Sequence, residues 1–217
     1  MKPRISKRQT AALTRVEVVV VVMMLFVVAA ILLPALAAAK KKHSHLDCAS
    51  NLKQIGLAYR IWEGDHTNLY PMSVSKSFGG TLEDIESSQI FRHFQVMSNE
   101  LVSPVILICP ADLRQPAKDF GPGFGNTNIS YFVNLNATET NPQELLCGDD
   151  NFEIGGVPVK PGLLEIPPNT SIAWSAARHK YSGNVACADG SVMGVNNSGL
   201  KNYLFQTGLA TNRLAIP

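Results

Sequence analysis

The sequence predicts an α+β protein in which one long N-terminal helix packs on a small antiparallel β-sheet. Residues 18–39 carry no charge and are mostly apolar helix formers, as expected of a helix in lipid. After the three lysines at 40–42, apolar residues recur at steps of three and four, which is typical of a helix with one buried face. That stripe consists of Cys48, Leu52, Ile55, Tyr59 and Trp62.

The apolar half of this helix is long enough to cross a bilayer. Its 22 uncharged residues would extend about 33 Å, against a hydrocarbon core of about 30 Å. Glu17 lies at the start of this helix. Placing a carboxylate near the centre of a bilayer costs about 2.5 to 3.5 kcal/mol, so Glu17 is expected to have a cationic partner. A cut between Ala12 and Leu13 would create an α-amino group within reach of Glu17 on a neighbouring copy. Pro34 lacks a backbone donor and predicts a bend or local melting.

This N-terminal arrangement resembles the leader and helix of type IV pilins and type II secretion pseudopilins. A Lys/Arg-rich leader precedes a small residue, Ala12, and counting from Leu13 places Glu17 fifth and Pro34 twenty-second, as in that family. Ala12 stands where the family usually has Gly, and Arg15 where it usually has an apolar residue. The resemblance implies cutting by a prepilin peptidase, N-methylation of Leu13, and filament assembly through Glu17, Pro34 and the apolar helix.

Further stretches resemble the prepilin-type proteins of verrucomicrobia and planctomycetes. They begin at Cys48 (CASNLKQIGL), Cys109 (CPAD), Asn128 (NISYFV), Arg178 (RH) and Gly183 (GNVACADGSV). Together they span most of the chain, and they imply a pilin-like fold without implying any particular chemistry.

The expected organisation is a leader at 1–12, a transmembrane and assembly segment at 13–39, the amphipathic half of the same helix at 40–63, and a globular α+β domain at 64–217. Residues 43–217 contain 11 Lys and Arg against 16 Asp and Glu, a net charge of −5, whereas the leader is basic. A basic head before an apolar span predicts a single-pass inner-membrane protein with a cytoplasmic N-terminus and a periplasmic domain. A mildly acidic domain without a basic stripe argues against nucleic-acid binding.

Within the globular domain, Thr81 is predicted to cap a second amphipathic helix with Ile90, Phe94, Met97 and Leu101 as its apolar stripe. Strands are predicted at 105–108, 129–135 and 171–175. Two β-rich runs joined by Asp189-Gly190 predict a two-residue hairpin, followed by a short helix near Leu200. The predicted core is Leu52, Ile55, Tyr59, Trp62, Val133, Trp174, Val185 and Val192.

Four cysteines in an extracytoplasmic domain predict disulfides. The favoured pairs are Cys147 with Cys187 and Cys48 with Cys109. Free buried thiols are an equally open alternative, because unpaired cysteine is commonly buried.

Asp149 and Asp150, followed by Asn151, form the best metal candidate. Oxygen-rich loops suit calcium, and the resemblance to pseudopilins implies a calcium site in a comparable late loop. The spacing does not match an EF-hand, so a solvated acidic turn is the preferred interpretation. No other cofactor is predicted.

No catalytic motif is recognised. The chain lacks a nucleophile elbow, a phosphate loop and a Cys/His cluster with zinc-site spacing. His179, Asp189 and Ser175 could in principle form a triad, but no neighbouring motif supports it. The chain is therefore expected not to be an enzyme.

The predicted function is that of a pseudopilin in a type II secretion-like periplasmic filament. Its expected partners are further copies of itself, other pseudopilins, the prepilin peptidase, the inner-membrane assembly platform and the lipid bilayer. One alternative is a type IV pilus subunit. Another is a monomeric anchored or secreted binding domain, the secreted form arising if an ordinary signal peptidase cuts after Ala37 in the sequence PALA.

Overall fold

The structure, a computed structural model, describes residues 14–217, with the side chains of residues 34–43 excepted. The predictions for Ala12 and Leu13 lie outside the described residues. The chain divides into two compact units, Met1–Lys42 and His43–Pro217. Helix α1 (Arg15–Asp65) begins in the first unit and ends in the second.

In the first unit, the segment Arg15–Leu33 is long and apolar enough to cross a membrane, with a mean hydropathy of 3.1. Every side chain from 14 to 33 is exposed. Helix α1 continues through Pro34 without interruption, so the local melting predicted there is not observed.

The start of α1 is a capping box. The Thr14 N–H and hydroxyl donate to the Glu17 carboxylate at 2.7 and 2.9 Å, and the Glu17 N–H donates to the Thr14 hydroxyl at 3.3 Å. These bonds satisfy backbone groups that the first turn leaves without helical partners. Glu17 therefore stabilises the helix start, a role that the sequence analysis did not assign to it.

In the second unit, strands form two antiparallel sheets. The larger has the order β5-β9-β1-β2-β7-β8, and the smaller has the order β4-β3-β6. The strands are β1 (Tyr131–Asn134), β2 (Leu145–Asp149), β3 (Phe152–Ile154), β4 (Val157–Pro158), β5 (Gly162–Ile166), β6 (Ile172–Trp174), β7 (Ser182–Cys187), β8 (Val192–Asn196) and β9 (Asn212–Ile216). The prediction of an α+β fold with an antiparallel sheet is confirmed.

The larger sheet separates two hydrophobic cores. Side chains alternate between its faces along β1, so that Tyr131 and Val133 join the core shared with α1, and Phe132 joins the other. The second core also contains residues of the smaller sheet and of helix α4 (Asn197–Phe205). All predicted core residues are buried except Val192, which is partly buried.

The second amphipathic helix is a wrong prediction. Residues 82–101 instead contain a 3-10 turn, Leu82–Asp84, and two single-turn helices, α2 (Arg92–Gln95) and α3 (Ser98–Leu101). Thr81 makes no cap, because its hydroxyl is hydrogen-bonded to His93 Nδ1 at 2.7 Å. The apolar stripe is nevertheless buried as expected.

The strand predicted at 105–108 is also wrong, since a 3-10 helix occupies Pro104–Leu107. Pro104 fixes the backbone at the first position of this turn, and the Ser103 hydroxyl accepts the Val105 N–H at 3.4 Å. The turn signal of Ser103 and Pro104 therefore outweighs the β-strand preference of Val105 and Ile106.

The hairpin of β7 and β8 is confirmed, but its turn has three residues. The Gly190 N–H donates to the Cys187 carbonyl, and the Cys187 N–H donates to the Ser191 carbonyl, both at 2.9 Å. Gly190 has a φ of 79°, whereas the φ of Asp189 is not positive. This is the three-residue arrangement in which a glycine follows a turn of the common type.

His93 should make stability depend on pH. Burial lowers the pKa of His93 from 6.5 to about 4. The unfolded chain therefore binds a proton that the folded chain excludes, and stability falls as the pH falls from about 6.5 to about 4. Between pH 7.5 and pH 5.5, the native chain should lose about 1 kcal/mol more stability than His93→Gln, measured by urea unfolding of the full chain in detergent. Equal losses would show that burial does not shift this pKa.

Candidate functional site

Four chemically active side chains converge on the α1 side of the larger sheet. Cys48 lies on α1, Cys109 follows the 3-10 helix Pro104–Leu107, Asp149 ends β2, and His179 lies between β6 and β7. One donor atom from each residue lies within 4.8 Å of those from the other three. All four residues are buried, with Asp149 fully inaccessible.

The secondary structure explains how these residues meet. Cys48 belongs to the inner stripe of α1. Asp149 pairs across the sheet with Tyr131, so its side chain points toward the same face. The segment before Cys109 is held on α1 by Asn51, whose side-chain amide donates to the Ile108 carbonyl at 3.1 Å.

The contacts within the cluster are short and direct. Cys109 Sγ lies 3.2 Å from His179 Nε2, and the same nitrogen lies 3.5 Å from Asp149 Oδ2. Cys48 Sγ donates to Asp149 Oδ1 at 3.1 Å and lies 3.4 Å from the Tyr131 hydroxyl. Each of the four groups therefore has at least one polar partner inside the cluster.

These contacts give the two thiols different acidities. Hydrogen bonding to Cys48, aided by His179, lowers the pKa of Cys109 to about 6 despite its burial. The same bond to Cys109, together with burial, raises the pKa of Cys48. Burial would lower the pKa of His179, but Cys109 and Asp149 raise it above its usual value. Cys109 is therefore the more acidic thiol of the pair.

A charge network flanks the cluster. Arg178 forms ion pairs with Asp150 and with Asp112 (3.2 Å), and its guanidinium lies 3.8 Å from Asp149. Arg114 bridges Asp112 and Asp150, each at 2.7 Å. Burial alone would raise the pKa of Asp112, but these arginines and Ser130 lower it to about 2.

The loop that carries His179 has an unusual backbone. Lys180 and Tyr181 follow His179 with φ values of 52° and 62°. Residues other than glycine rarely adopt this left-handed region. Such conformations persist only where the surrounding structure imposes them, and they are common at functional sites.

The predicted solvated turn at Asp149 and Asp150 is wrong, because both residues are buried. The two carboxylates share the Arg178 guanidinium but differ in their other partners. Asp149 faces the thiols, whereas Asp150 is bound by Arg114 and Arg178. They do not form one oxygen-rich site of the kind expected for calcium.

The structure describes all four cysteines as free and buried. Cys48 and Cys109 are neighbours, and their pairing stays a prediction. The pairing of Cys147 with Cys187 is corrected. A register shift between Leu145 and Cys147 sets Cys147 opposite Ala186, in the core next to α1, while Cys187 lies in the second core on the other face.

The residues of the hypothetical triad are used separately. Asp189 accepts the Ser191 N–H at 2.8 Å and a bond from Gln143 at 3.0 Å in the hairpin turn. The Ser175 N–H pairs with the Asn151 carbonyl. His179 contacts Cys109 and Asp149 instead.

Sequence reasoning missed this cluster because its members are far apart along the chain. Cys48 and Asp149 are separated by 101 positions, and Cys109 and His179 by 70, so no short spacing indicates a shared site. One signal was available: Cys48, Cys109 and His179 each lie in a stretch that carries the family resemblance.

Removing Arg178 should destabilise the chain strongly. Arg178→Met leaves the buried Asp150 and the partly buried Asp112 with only Arg114 as a cation, and loss of one partner in a buried ion pair costs about 3 kcal/mol or more. Arg213→Met is the matched control, because its partners Glu86 and Glu165 are exposed and such pairs contribute less than about 1 kcal/mol. Equal unfolding midpoints for the two variants would contradict the account of this network.

Compared with known proteins, the chain matches no protein-family model, no curated protein and no solved structure.

Proposed function

We propose that this chain is a prepilin-like subunit, a pseudopilin of a type II secretion-like apparatus, anchored in the inner membrane and assembled into a periplasmic filament. The observation that carries the proposal is the composition of α1. One continuous helix contains an apolar segment exposed on all sides and a one-sided stripe buried in the globular unit.

The exposed segment needs a partner that the described residues do not supply. Large apolar side chains such as Met24, Phe26 and Leu33 are more than 60% exposed. A surface of this kind around a whole helix is stable in lipid or against other apolar helices. A membrane followed by a helical filament supplies these two environments in turn.

Glu17 gives the assembly its specificity under this proposal. Cutting between Ala12 and Leu13 would place a new amino group beside the first turn of α1, close to the Glu17 carboxylate. Pairing between copies would offset the burial of both charges in an apolar bundle. The capping box does not compete fully with this pairing, because only one carboxylate oxygen of Glu17 accepts from Thr14.

The acidic globular unit would lie outside the filament axis and contact other subunits and the assembly platform. A type IV pilus subunit would use the same helix, and it differs in that its fibres reach the cell surface. A monomeric anchored or secreted domain is the second candidate, because the composition of Arg15–Leu33 also fits a signal sequence.

Two variants separate the charge of Glu17 from its capping role. Glu17→Gln keeps a side-chain oxygen that can accept from Thr14, whereas Glu17→Ala removes both the oxygen and the charge. Both should be cut normally, and both should enter sheared filaments at least about 10-fold less than the native chain, since the amino group loses its counter-ion. Immunoblots of filament and membrane fractions would measure this.

A Glu17→Gln variant that assembles normally while Glu17→Ala fails would contradict the pairing argument and leave only the capping role. Normal assembly of both variants would remove Glu17 from the mechanism altogether.

A further inference from the structure

We propose that Cys48, Cys109, Asp149 and His179 bind one zinc ion in a closed structural site of the globular unit. The proposal is independent of filament assembly, because all four residues lie in the unit His43–Pro217. It rests on the geometry, the donor types and the charge of the cluster.

The distances fit a tetrahedral ion. Zinc bonds of about 2.0 Å to nitrogen or oxygen and 2.3 Å to sulfur place neighbouring donor atoms roughly 3.3 to 3.8 Å apart. Here Cys109 Sγ and His179 Nε2 are 3.2 Å apart, His179 Nε2 and Asp149 Oδ2 are 3.5 Å apart, and all four donor atoms lie within 4.8 Å. The widest donor separation, up to 4.8 Å, would have to close by about 1 Å to complete the coordination.

The donor set selects zinc over calcium. Thiolate and imidazole ligands suit zinc and other borderline or soft ions, whereas calcium and magnesium take oxygen ligands. Two sulfurs, one nitrogen and one carboxylate leave a single hard donor, Asp149. The ion proposed here therefore differs from calcium, the weaker alternative considered for Asp149 and Asp150, and shares only Asp149 with it.

The charges also balance. On binding, each thiol releases its proton and forms a bond to zinc, so that two thiolates and one carboxylate surround a doubly charged cation. The remaining negative charge faces the Arg178 guanidinium, 3.8 Å from Asp149. Without a metal ion, Arg178 is the cation nearest the inaccessible Asp149 carboxylate, which otherwise accepts hydrogen bonds from Cys48 and Asn184.

Neighbouring groups hold the donors in place, as is usual around metal ligands. The Asn184 N–H donates to Asp149 Oδ2 at 2.7 Å. The Tyr131 hydroxyl lies against Cys48. A surface cavity beside the cluster is lined by Arg114, Asp150 and Arg178 among others, but by none of the four donors.

Burial of all four donors makes this a structural rather than a catalytic centre, because catalytic zinc keeps a position open to water or substrate. The ion would join α1, the Cys109 segment, β2 and the His179 loop at one point. A disulfide between Cys48 and Cys109 excludes zinc, since it removes both thiolates and leaves Asp149 and His179 without a shared partner.

The test uses the full chain purified in detergent without chelator or added reductant. Zinc is measured by mass spectrometry of the metal, and thiols are counted by alkylation after denaturation. The native chain should contain one zinc and four alkylated thiols. Cys109→Ser should lose the zinc, Asp149→Asn should bind it at least roughly 10-fold more weakly, and the matched control Cys187→Ser should retain it.

A second measurement uses only the native chain, so it still tests the proposal if the variants fail to fold. In the native chain, stripping the zinc with a chelator should lower the thermal midpoint and increase alkylation of Cys48 and Cys109, while alkylation of Cys147 and Cys187 stays unchanged. Two alkylated thiols and no zinc would establish the disulfide and overturn the proposal. Four thiols in a chain that takes up no added zinc would overturn it equally, as would full retention of zinc by a folded Cys109→Ser variant.

Discussion

The packing of the inner face of α1 on the larger sheet is the interaction on which the second unit depends. Leu52, Ile55, Tyr59 and Trp62 are almost completely buried there, and each such side chain contributes about 1.5 to 3 kcal/mol by leaving water. The sheet receives this helix on the face formed by alternate residues of β1, among them Tyr131. Without that packing, the sheet would expose one apolar face, and Cys48 would have no fixed position.

The N-terminal and C-terminal parts of α1 have different surfaces. Its N-terminal part presents an apolar surface and a capped first turn, which suit lipid and neighbouring subunits. Its C-terminal part holds Cys48 within hydrogen-bond distance of Asp149, which ends a buried strand. A zinc ion at this point would add a second link between the helix and the sheet.

The sequence predicted the features that have a local signal in neighbouring residues. The periodic stripe of α1, the hairpin at Asp189-Gly190 and the helix near Leu200 are all observed, because each has a local signal. Residues 82–101 failed because apolar periodicity does not distinguish one helix from several buried turns. Strands β5 and β9 were missed, and the burial of Asp149 was not predicted. The Cys48 cluster depends on contacts across 70 or 101 positions, which no single-sequence pattern encodes.

The central claim is that the mature protein begins at Leu13, four residues before Glu17. Intact mass and N-terminal sequencing of the protein recovered from its native membrane test this most directly. The account predicts a chain that starts at Leu13 and carries one added methyl group. An uncut chain, or one that starts at Ala38, would contradict it and identify an anchored or secreted domain instead.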